Sequence, residues 1–118
     1  GYGPVLLAQA WEAAQTLIKE HDMQVTLINL PWLNTVDREW LGEMLDISTN
    51  VITLDNHYIQ GGQGQMLAAN IAALGREVRI VHKGLTEVPA CGQNPDVLKA
   101  HGLDAKSLAR DIHELVRG

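Results

Sequence analysis

The chain has 118 residues, 46% of them hydrophobic, and a formal net charge of -5. That length suits one domain, residues 1–118, with a single core between two helical layers. The acidity and the lack of a Lys/Arg cluster argue against nucleic acid and against an anionic membrane surface as partners. No apolar run approaches the roughly 20 residues that cross a bilayer. Cys91 is the single cysteine, which excludes an intrachain disulfide and points to a reducing, cytoplasmic setting. Phe is absent, so Leu, Ile, Val and Ala must build the core.

Gly3 and Pro4 open the first predicted helix, with Pro at a favoured first-turn position. Leu7, Ala10, Trp11, Ala14, Leu17 and Ile18 recur at helical spacing as its apolar face, and it should end near Glu20 to Asp22. Val25 to Leu30 reads as a strand ended by Pro31, which cannot donate to a ladder. Asn34, Thr35 and Asp37 offer caps for a second helix with Trp40, Leu41, Met44 and Leu45 on its buried face. Val51 to Leu54 is short and continuously apolar, as a strand covered on both faces should be.

A polar, glycine-rich turn follows, Asp55 to Gly64, and then a helix from Gln65 to Leu74 with Gly75 just past its end. Leu67, Ile71 and Leu74 face inward, and the alanines at 68, 69, 72 and 73 would let a neighbouring backbone approach closely. Val78 to Val81 is a third strand, and Lys83 to Asn94 is irregular, punctuated by Gly84, Pro89 and Gly92. Asn94 and Pro95 look like the cap and first position of a short helix ending at Gly102. Asp104 caps the last helix between Leu103 and Leu108, the two positions of a hydrophobic staple. Leu108, Ile112, Leu115 and Val116 form its packing face.

Strands alternating with helices imply an α/β fold, a three-layer α/β/α sandwich around a mainly parallel sheet with right-handed crossovers. A crossover helix needs a strand before it. Gly1-Tyr2-Gly3 therefore reads as the tail of such a strand, and the chain as part of a longer protein. The strands around Val25 and Val51 are then expected not to bond directly to each other.

Most motifs that carry chemistry fail on inspection. Gly62-Gln63-Gly64 could begin a dinucleotide fingerprint, but Leu67 stands where the third small residue belongs, and His82 and Lys83 follow the next strand in place of an acid. Lys83-Gly84 is in the wrong order for a phosphate loop. No paired Cys, HExxH or i,i+4 His pair makes a zinc site. Cys91 would need a base beside it to act as a nucleophile, which sequence alone does not show, and Ser48 and Ser107 lie outside any GxSxG elbow. Asp37, Glu39, Glu43 and Asp46 read as a solvated helix face, and Trp11, Trp32 and Trp40 as packing or interface residues.

The turn itself is different, because Asp55, His57, Tyr58, Gln60, Gly61, Gly62 and Gly64 crowd together at the carboxyl edge of a strand. Open α/β folds place their working groups there. The glycines alone could serve tight turning and close packing of the helix start. His57 could carry protons, bind a ligand, or brace the turn through Asp55. A turn that only reversed the chain would not need an imidazole, a phenol and two amides, so the stretch is a candidate interface or ligand loop.

The segment VITLDNHYIQGGQGQMLAANIAALG resembles the signature of the C-terminal domain of the transketolase family. That family has an apolar strand, Glu-Asp-His, a few variable residues, Gly-Gly-x-Gly and a helix of small residues. His57, Gly61, Gly62 and Gly64 match, while Asp55-Asn56 replaces the acidic pair. Glu12-Ala13-Ala14, Pro31 and Asp37 upstream and Gly102-Leu103-Asp104-Ala105 downstream are also similar. Residues 86–93 depart from the family pattern, which leaves three branches open: transketolase, deoxyxylulose-phosphate synthase, and the β part of a 2-oxoacid dehydrogenase.

The resemblance implies an enzyme that moves two-carbon ketol units with thiamine diphosphate and Mg. The family's Gly-Asp-Gly diphosphate motif is missing from this chain, and so is the pyrimidine-binding domain with its catalytic Glu. By resemblance those lie in other domains, and this chain packs against them, helps form a homodimer and is inactive alone. Two rivals remain: a small-anion-binding regulatory module using the helix start after Gly64, and a pure assembly module with Trp32 or Trp40 at a subunit contact.

Overall fold

A computed structural model describes residues 1–48, 50–86 and 94–117. Pro4 starts helix α1, Pro4–His21, and Asp22 ends it in the left-handed conformation with its N–H returned to the Leu17 carbonyl. Asp37 caps α2, Arg38–Ile47, by accepting from the backbone N–H groups of Glu39 at 2.9 Å and Trp40 at 3.1 Å. Strand β1, Asn50–Tyr58, leads into α3, Gln63–Ala73, and β2, Arg79–Leu85, follows. Helices α4, Asn94–Ala100, and α5, Ala105–Arg117, close the order. The expected staple is present, with Leu103 and Leu108 both buried around Asp104 and the Ser107 N–H directed at the Asp104 carboxylate.

Strands β1 and β2 pair in parallel, from Asn50 opposite Arg79 to Leu54 opposite Lys83. Beyond that point the register slips: β1 advances four residues, Leu54 to Tyr58, while β2 advances two, Lys83 to Leu85. Two apolar clusters lie on opposite faces of this pair. Leu6, Ala13 and Leu17 of α1 pack with Leu54, Leu103 and Leu108 on one face. Leu41 and Leu45 of α2 pack with Ile71 of α3, Val51 and Ile80 on the other. The result is the α/β/α layering with a parallel sheet.

Several expectations need correction. Residues 25–30 join no strand pair, and the sheet of the described residues has two strands. This segment's ladder contacts are to the first residue: the Gly1 amine donates to the Ile28 carbonyl at 3.2 Å, and the Leu30 N–H to the Gly1 carbonyl at 2.9 Å. It does not bond directly to β1, as expected. Both strands run further than their apolar cores, so His57 and Tyr58 end β1 and do not lie in the turn.

Trp11 and Ile18 are exposed, because α1 turns Leu6, Ala10, Ala13, Ala14 and Leu17 inward. Ala69, Ala72 and Ala73 face solvent and host no neighbouring backbone, since α3 buries Ile71. Val116 of α5 is likewise exposed. Cys91, Pro89, Gly92 and the side chains of Asn94 and Pro95 lie outside the described residues.

Candidate functional site

The turn between β1 and α3 is built around a carboxylate. Asp55 is completely buried. Its Oδ1 accepts from the Gln63 N–H at 2.8 Å and its Oδ2 from the Gly64 N–H at 3.1 Å. Those are two of the donors that a helix start leaves without an intrahelical partner. The cap residue Gly62 has no side chain to offer, so the carboxylate eight residues upstream of Gln63 takes its place. The positive end of the helix dipole favours the buried charge. The Tyr2 hydroxyl adds a third hydrogen bond to Oδ1 at 3.0 Å and accepts from the Asn56 N–H at 3.3 Å. Burial, and then the bond to Asp55, raise the Tyr2 phenol above its ordinary value.

The glycines follow from this capture. A Cβ on Gly62 would stand 2.7 Å from the Asp55 carboxylate, and one on Gly64 would stand 2.5 Å from His82 Nδ1 and closer still to Thr53 Oγ1. Any side chain there would push α3 off its anion. Thr53 Oγ1 and His82 Nδ1 share a 2.6 Å hydrogen bond across the two strands directly beneath Gly64. Gly62 has φ of -84°, so close approach constrains it; the positive φ of the turn falls at Gly61, 76°. Gln63 is buried as well, and its side-chain amide donates to the carbonyls of Leu30 at 2.6 Å and Trp32 at 2.8 Å. That fastens the segment before α2 to the start of α3.

The candidate residues therefore separate by position. Asp55, Gly62 and Gly64 form an inner wall, whereas His57, Tyr58, Gln60 and Gly61 are exposed on the rim. His57 does not brace Asp55, whose donors come from the backbone and Tyr2. Asp55 already holds the N–H groups of Gln63 and Gly64, the first two donors of this helix start. Trp32 is 65% exposed and Tyr58 47%; the Trp32 carbonyl is held by Gln63, and Tyr58 ends the strand that carries Asp55. Sequence reasoning missed Tyr2, Gln63 and the Thr53–His82 pair. An acid at a strand end followed by a helix whose cap lacks a side chain signals the Asp55 capture; nothing local signals Tyr2, 53 residues away.

Among the described residues, no group of three or more His, Cys, Asp or Glu could hold a metal ion, and no helix is long and apolar enough to cross a membrane.

A family model described as transketolase, C-terminal domain, matches residues 1–108. The chain is 26% identical over 113 residues to a 1-deoxy-D-xylulose-5-phosphate synthase of Clostridium tetani, covering 94% of this chain and 18% of that protein. It is 29% identical over 97 residues to one of the subunits of an apulose-4-phosphate transketolase of Actinobacillus succinogenes, covering 80% and 31%. It is 28% identical over 102 residues to a putative transketolase C-terminal section of Methanocaldococcus jannaschii, covering 86% and 31%. A split-gene transketolase, solved as an inactive beta4 tetramer, superposes with a TM-score of 0.84 at 24% identity, over 96% of this chain and 36% of its own. That likeness concerns the fold. The chain thus spans a third or less of the length of these curated relatives.

Proposed function

The chain belongs to the family of transketolase C-terminal domains, and from that premise we propose that it is the assembly domain of a thiamine diphosphate-dependent, transketolase-like transferase. In this reading residues 1–118 form one domain that packs on the catalytic domains, contributes to a homodimer in the cytoplasm, and is inactive alone. The observation that carries it is the division of the turn: Asp55 is buried against the start of α3, while Tyr58, His57 and Gln60 are exposed. Exposed aromatic rings on a fixed support are typical anchors of protein contacts.

Thiamine diphosphate and Mg are assigned to other domains. Two observations support that reading: at the start of α3 the Gln63 and Gly64 N–H groups are taken by Asp55, and among the described residues no group of three or more His, Cys, Asp or Glu could hold a metal ion. The alignment covering 94% of this chain with a deoxyxylulose-phosphate synthase supports that branch as the second reading, with the same assembly role.

Dilution-dependent sedimentation of the complete enzyme tests the proposal. The double substitution His57→Ala, Tyr58→Ala should weaken the association between protomers by about 1–4 kcal/mol. Unchanged association would reject the rim as a contact.

A further inference from the structure

Gln63 is the first residue of α3 and, like Thr53 and Asp55, a polar side chain in the buried interior. A buried amide is costly unless its hydrogen bonds are made. Gln63 makes them in two directions. Its main-chain N–H belongs to the Asp55 seat, at 2.8 Å. Its side-chain nitrogen reaches 33 and 31 residues back along the chain, donating to the Leu30 carbonyl at 2.6 Å and to the Trp32 carbonyl at 2.8 Å. Both partners are acceptors, so only the NH2 end of the amide fits there, and its two hydrogens are both used.

Burial does not hold the segment that Gln63 grips. Pro31, Trp32, Leu33, Asn34 and Thr35 are all exposed. Pro31 has no N–H to donate, so the grip falls on the carbonyls of the residues on either side of it. Those two carbonyls fix the backbone from which the Trp32 ring projects. The ring itself lies largely in solvent, so its direction is set by that backbone and not by packing. A large side chain on a loose backbone loses its freedom on association. One on a held backbone has lost part of it already, which lowers the cost of binding.

We infer that Gln63 is a positioning residue for the contact between protomers: its amide locks residues 30–32 to the start of α3 and so presents Trp32 to the neighbouring protomer as a pre-ordered anchor. The inference rests on the reading of this chain as an assembly domain, and adds to it a contact residue and the side chain that orients it. The two roles of Gln63 are separable. Its main chain keeps α3 on Asp55 whatever the side chain, whereas its side chain alone reaches Leu30 and Trp32.

The test uses the complete enzyme carrying Gln63→Met, which keeps the length of the side chain but removes both donors. Where Gln63→Met does not fold, Gln63→Asn, with its amide one methylene short, carries the same comparison. Amide exchange should speed up by about tenfold or more over residues 33–36 and stay unchanged over residues 64–66, where Asp55 still holds the helix. In dilution-dependent sedimentation, Trp32→Ala should weaken association by about tenfold or more and Gln63→Met by about fivefold. The pair should lose no more than Trp32→Ala alone, because the amide acts through that ring. Unchanged exchange over 33–36 would overturn the inference, and so would equal speeding over 64–66, which marks a general loosening. Additive losses in the pair, or association indifferent to Trp32→Ala, would also overturn it. Weakened association in the His57→Ala, Tyr58→Ala enzyme alongside any of these results would leave the assembly reading standing and reject the role of Gln63 alone.

Discussion

The inner wall and the rim of the β1–α3 turn lie within ten residues of each other and are held by different physics. Asp55, Gly62 and Gly64 sit where no water reaches the carboxylate and no Cβ fits beside it. His57, Tyr58 and Gln60 sit in solvent, two of them at the end of the same strand. The contrast shows that one signature can encode two jobs. Its acid and glycines seat a helix, and the residues between them are left free to meet something else. Substitutions on each side separate the two.

The largest effect is expected at the carboxylate. Asp55→Ala leaves two buried helix N–H groups and the Tyr2 hydroxyl without their acceptor. Loss of about 4 kcal/mol is expected from two charge-assisted bonds and the stranded donors, read as a fall in the urea midpoint. Retention of the wild-type midpoint would place the anchor of α3 elsewhere.

Next is Gly64→Ala. The added methyl displaces either the Thr53–His82 hydrogen bond or the helix start. Overpacking of this kind costs about 3 kcal/mol, with Gly62→Ala about 2 kcal/mol because the same crowding falls on the carboxylate alone. Thermal melts check the order, and a reversed order would mean that the inner wall yields at Thr53 and His82 before it yields at Asp55.

Tyr2→Phe removes one of the three donors to Asp55 and should cost about 1 kcal/mol at neutral pH. It also carries a pH signature. The folded state holds the Tyr2 proton more tightly than the unfolded state does. Its contribution is therefore complete below about pH 10 and disappears as pH rises through the higher folded value. Wild type should lose stability in that alkaline window more steeply than Tyr2→Phe; parallel curves would mean that the phenol does not bind Asp55 in solution.

The sequence disclosed much of the fold and less of the site. Helix limits were legible where chemistry marks them: Pro4, Asp37, Gly75 and the Leu103–Asp104–Leu108 staple each lie where propensity and capping put them. Val25 to Leu30 has strand composition but joins no strand pair among the described residues, where it bonds to Gly1, and composition does not reveal pairing. Trp11 and Ile18 fit the helical spacing of α1 but miss its buried face by a fraction of a turn. At the site, residue types pointed to the right turn, while the division between wall and rim depends on strand alternation through an irregular register and on Tyr2 arriving from the far end of the chain.

The division is tested most directly by the urea midpoint of the rim double substitution, His57→Ala with Tyr58→Ala, in this 118-residue chain. Both side chains are exposed, so the account predicts a midpoint that corresponds to a change within about 0.5 kcal/mol of wild type. A loss approaching that of Asp55→Ala would contradict it, because the rim would then be holding the fold together.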